Sequence, residues 1–129
     1  MNDHASSATG ESKWVELIHA IEASLVGAAE GINFGLELFP YDPAGISPGA
    51  YDPAVLCNVP NGQGAIAVDI APGQGNVAHI TDILSGQYPA GATPTANALQ
   101  QAYNYYTQGD GKNLNGSKWV LLVTDGARC

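Results

Sequence analysis

Two short segments carry side chains that could do chemistry. In Gly91-Ala92-Thr93-Pro94-Thr95, Thr93 offers a neutral hydroxyl just ahead of a helix-like run. In Thr124-Asp125-Gly126, Asp125 offers a carboxylate directly after the apolar run Trp119-Val120-Leu121-Leu122-Val123. Both groups fall at loop positions, and both are oxygen donors of the kind a small hard cation accepts. Other chemistry is sparse. His4, His19 and His79 are scattered, and neither His19 nor His79 has a histidine one helical turn on. There is no Gly-x-Ser-x-Gly nucleophile elbow and no His-Glu-x-x-His pair. Gly73-Gln74-Gly75-Asn76-Val77-Ala78 has the outline of a dinucleotide-binding turn, which leaves a small nucleotide-binding enzyme as a remote alternative. The acidic residue expected about 20 positions further on is missing, so the turn reads better as a tight strand-to-helix connection.

The elements that must position Thr93 and Asp125 follow from periodicity. Ser12 is a suitable N-cap, and Trp14, Leu17, Ile18, Ile21 and Leu25 repeat at helical spacing, so a helix is expected over about 12–30, ended by Gly31. Ile32, Phe34, Leu36 and Leu38 alternate, which predicts a strand over about 32–39. Residues 40–64 hold five prolines and several turn-forming residues and read as a long loop. A second strand is expected at 65–70, then a short helix at 76–85 carrying Val77, Ile80, Ile83 and Leu84. Pro94 suits a first helical turn and Thr93 the N-cap before it. That helix is expected over 95–107, with Ala98, Leu99, Ala102, Tyr103 and Tyr106 along it and Tyr103, Tyr105 and Tyr106 as core and rim aromatics. A turn-rich stretch, 109–117, leads to a last strand at 118–124. The two strands on either side of the proline loop are expected to be antiparallel neighbours. The last, reached through helices, should be parallel to one of them. The pattern implies an α/β fold: a three-layer, Rossmann-like open sheet of three strands with helices on both faces, in a single domain over 1–129.

Composition narrows the partners. Four Lys and Arg stand against twelve Asp and Glu, for a net charge of −8. A surface of that sign disfavours nucleic acid and anionic membranes. No apolar run approaches the roughly 18 residues of a membrane span. The start, Met1 to Ser7, is polar and has no signal-peptide pattern.

The Thr93 and Asp125 segments, taken in order with the elements around them, resemble a bacterial von Willebrand factor A domain. Lys118 to Gly126 resembles that family's fourth strand, which ends in Thr-Asp-Gly. Gly91 to Leu99 resembles its Gly-Gly-Thr-Pro-x-x-x-Ala-Leu run, Ile32 to Phe39 its second strand, and the Lys13-Trp14 helix the segment after its metal motif. The resemblance implies a metal-ion-dependent adhesion site. Thr93 would be a direct ligand and Asp125 an outer-sphere aspartate of Mg²⁺ or Mn²⁺, at the C-terminal edge of the sheet. The family's Asp-x-Ser-x-Ser segment is not in the sequence, nor are its last two strands. The resemblance therefore implies a domain truncated at both ends, with Met1 where a Met trails the missing motif and with a weak or absent cation.

On this reading the function is binding, not catalysis, through a carboxylate of a protein ligand, in a parent that is secreted or extracytoplasmic. Cys57, in the loop after one strand, and Cys129, after another, would then share a sheet edge and form a candidate disulfide. Closing so long a loop is worth roughly 4 kcal/mol in the chain-entropy picture. The alternative is a structural fragment without ligand function. Lacking the family's central strand, it would self-associate through exposed strand edges.

Overall fold

The structure is a computed structural model that describes residues 12–40, 57–59, 65–87, 92–124 and 126. Its chain falls into two compact units, Met1–Leu36 with Ile70–Pro89, and Glu37–Asp69 with Ala90–Cys129.

In the first unit, Ser12 starts helix α1, Lys13–Ala28, by accepting the Val15 N–H at its hydroxyl, 3.4 Å away. This is the N-cap expected from sequence, satisfying a donor that has no partner inside the helix. The predicted apolar face is the inward one, with Ile18 buried and Trp14, Leu17, Ile21 and Leu25 half-buried. It packs against the second helix, α2, Gln74–Ser85, which buries Val77, Ile80 and Leu84. Gly73 caps α2 at φ 87°, in the left-handed region that only glycine enters without strain. Asn76 in the first turn of α2 donates its side-chain N–H to the carbonyls of Phe34, at 2.6 Å, and Ala71, at 3.4 Å. Gln74 donates to the carbonyl of Val26 at 3.0 Å. These side chains anchor the start of α2 to the segments beside it.

Two strands, β1 at Phe34–Glu37 and β2 at Ile66–Ala71, form an antiparallel sheet, as the sequence predicts for the pair flanking the proline loop. The pairing extends one step further, from the Leu38 N–H to the Ala65 carbonyl at 3.0 Å. β1 is shorter than the expected 32–39. The Ile32 N–H bonds to the Ala28 carbonyl at 3.0 Å, so Ile32 belongs to the exit of α1 and its side chain is exposed.

In the second unit, helix α3 spans Thr95–Thr107, with the boundaries the sequence predicts. Its buried face is Ala98, Gln101, Ala102 and Tyr105, spaced at i, i+3, i+4 and i+7. Leu99 is exposed, and of the tyrosines expected as core and rim aromatics Tyr105 is buried while Tyr103 is 60% exposed. The two alanines present the flatter side of the helix, and that side is the one packed. A 3-10 helix, Asp110–Asn113, folds back on α3. Gly111 lies so close to the Tyr105 ring that a β-carbon there would collide with it.

The main departure from expectation is at 118–124. This run was expected to be a strand parallel to one of the others, yet it is neither helix nor strand. Trp119 and Leu121 are 82% and 85% exposed, and Val120, Leu122 and Val123 are also exposed. A nearly continuous apolar strand is the mark of a position buried on both faces of a sheet, with a neighbour on each edge. Among the described residues no strand lies beside it. The α/β class holds, but the sheet there has two strands, not three.

Candidate functional site

The polypeptide around Thr93 is a sharp entry into α3. The Thr95 N–H bonds to the Thr93 carbonyl at 2.9 Å, and the Ala98 N–H to the Pro94 carbonyl at 3.0 Å. Pro94, not Thr93, occupies the N-cap position, and no side chain caps the helix. The expected capping role of Thr93 is therefore not realised. Proline at the N-cap moves the helix start one residue on, which places the Thr93 hydroxyl outside the first turn. Thr93 is nonetheless buried.

What lies against it is Gly126. A β-carbon at Gly126 would collide with the Thr93 hydroxyl oxygen and stand 3.3 Å from the Thr93 β-carbon. The turn is held locally by the Gly126 N–H, which donates to the Thr124 hydroxyl at 3.3 Å. Two segments far apart in sequence thus meet within the second unit. They are the two singled out for their oxygen donors. Asp125 itself lies outside the described residues. Among the described residues no group of three His, Cys, Asp or Glu side chains gathers in a way that could hold a metal. Among the described residues the Thr93 and Thr124 hydroxyls both lie against Gly126.

The run that leads into this corner is tied to α3 at its start. The Lys118 ammonium donates to the carbonyls of Tyr106, at 3.3 Å, and Lys112, at 3.1 Å, and sits 5.6 Å from the centre of the Tyr106 ring. The Tyr106 hydroxyl donates to the Trp119 carbonyl at 3.0 Å, and burial raises the pKa of that phenol.

Cys57 is disulfide-bonded. The chain has one other cysteine, Cys129, which lies outside the described residues. At the glycine-rich turn before α2, a β-carbon on Gly75 would meet nothing within 4 Å. Only Gly73 is required there by backbone conformation, and Asn76 serves the neighbouring carbonyls.

Glu37 is a residue the sequence reading missed. Desolvation raises its pKa from 4.5 to about 7, and one of its carboxylate oxygens is buried without a hydrogen bond. Gln101 on α3 likewise has a buried carbonyl oxygen without a partner. The alternation Phe34, Leu36, Leu38 assigned Glu37 to the solvent side. The one available signal was an acid within an otherwise apolar strand.

Comparisons with protein-family models, with curated proteins and with solved structures return no match to this chain. No helix among the described residues is long and apolar enough to cross a membrane.

Proposed function

We propose that the chain is a binding module of the von Willebrand factor A type, built on that family's three-layer open α/β sheet and engaging a protein ligand through a cation-assisted contact. One observation carries this reading: the Thr93 hydroxyl lies against Gly126, so the Thr-Pro turn and the Thr-Asp-Gly turn share one corner of the molecule. A second supports it. Pro94 takes the N-cap of α3, so the Thr93 hydroxyl is not used in capping the helix.

In this proposal Thr93 and Asp125 hold Mg²⁺ or Mn²⁺. Neutral hydroxyl and water ligands leave such a cation electrophilic, and when bound it offers an open position to a carboxylate from the partner. Magnesium asks for six oxygens in near-octahedral array, so a site with two protein donors holds it weakly. The chain's own residues position the donors. Thr93 leads into α3, and Asp125 falls in sequence between Thr124 and Gly126.

Calorimetric titration with Mn²⁺ tests the proposal. The expected result is weak binding that is lost in Thr93→Ala and in Asp125→Asn. No binding, or binding indifferent to both changes, would overturn it.

A further inference from the structure

We propose that residues 118–124 form an interaction surface for a second copy of this chain, which adds its own 118–124 segment as an antiparallel strand. The surface does not depend on a cation at the Thr93 corner. Trp119 and Leu121 are the two most exposed large hydrophobic residues among those described, and Val120, Leu122 and Val123 beside them are exposed as well. Among the described residues, the backbone groups of Val120 to Val123 make no backbone hydrogen bond. Unpaired N–H and C=O groups beside exposed aliphatic side chains are a template for strand addition.

Area, charge and symmetry favour a second copy as the occupant. These five side chains offer on the order of 500 Å² per copy, so a symmetric pair has up to about 1,000 Å² to bury, the threshold of a specific interface. The chain's net charge of −8 opposes association in general, but none of its acids lies within 118–124. The only charge there is Lys118, at one end. Parallel pairing would set two lysines side by side, whereas antiparallel pairing separates them by roughly 20 Å. An antiparallel pair of one segment is also closed by a two-fold axis, so it stops at the dimer. The other end is tethered by Gly126 against Thr93, and Lys118 and the Trp119 carbonyl are held by α3 and its neighbour. The segment is thus presented by fixed ends.

Sedimentation velocity over a concentration series tests this. The wild-type chain is expected to move from monomer to dimer, and Leu121→Lys to weaken dimerisation at least tenfold. Val26→Lys, an exposed position on α1, should change nothing. Circular dichroism checks that each variant keeps its helices. Strand direction is read by cross-linking. Leu121→Cys should link the two copies and Lys118→Cys should not. A monomer at every concentration, a dimer indifferent to Leu121→Lys, or cross-linking at both cysteine positions would overturn the proposal.

Discussion

Ile80 and Leu121 are both aliphatic residues within apolar stretches, yet Ile80 is 1% exposed and Leu121 is 85% exposed. The difference lies in how each backbone is satisfied. Ile80 sits on α2, whose peptide groups bond within the helix, so one covered face is enough, and α1 covers it. Leu121 sits in a run whose peptide groups need strands alongside before its side chains can be packed. A helix is locally complete, whereas a strand is completed by others.

The largest expected effect is in the helix pair. Ile80→Ala should cost about 3 kcal/mol, the transfer term plus the cavity it leaves. It is read as a fall in the denaturation midpoint with unchanged slope. A cost below about 1 kcal/mol would mean that the α1–α2 contact is loose and the contrast with Leu121 overstated.

Glu37 gives an intermediate effect with a definite sign in pH. Its folded pKa, about 7, lies above the ordinary 4.5, so the folded state holds its proton more tightly. Below pH 4.5 the carboxyl is neutral in both states and costs nothing. As pH rises toward 7 the unfolded chain ionises first and stability falls, and the penalty is complete above 7. Glu37→Gln should therefore stabilise the protein at pH 8, by about 1–2 kcal/mol once solvent screening of the half-buried carboxyl is allowed for. The gain should vanish at pH 4. An equal gain at both values would assign the effect to packing.

The smallest effect is at the exposed run. Leu121→Ala, in protein dilute enough to be monomeric, should change stability by no more than about 0.5 kcal/mol. A large loss there would show that the monomer already buries this side chain. At high concentration the same substitution should lower the melting temperature, because association stabilises the folded state by mass action.

The helices were legible in the sequence because their signals are local. Ser12, the face from Trp14 to Leu25 and the Val77–Leu84 spacing all appear within a turn or two of where they act. Which face of α3 packs was less legible. Ala98, Leu99, Ala102 and Tyr103 all lie along its apolar run, and close packing chose the small residues. The strand at 118–124 was legible as a tendency and not as a structure, since its neighbours are not encoded within it. At the candidate site, the residue types at 93 and 125 suggested oxygen donation. That Thr93 touches Gly126, and that Pro94 takes over the N-cap, depends on tertiary folding and could not be read from either segment.

The cation site proposed at the Thr93 corner is tested most directly by Mn²⁺ relaxation in NMR. A bound paramagnetic ion broadens signals by distance, so a site there should erase the Thr93 methyl and Gly126 amide resonances first, while those of α1 stay sharp. Broadening spread over the acidic surface, or centred on other residues, would contradict the account.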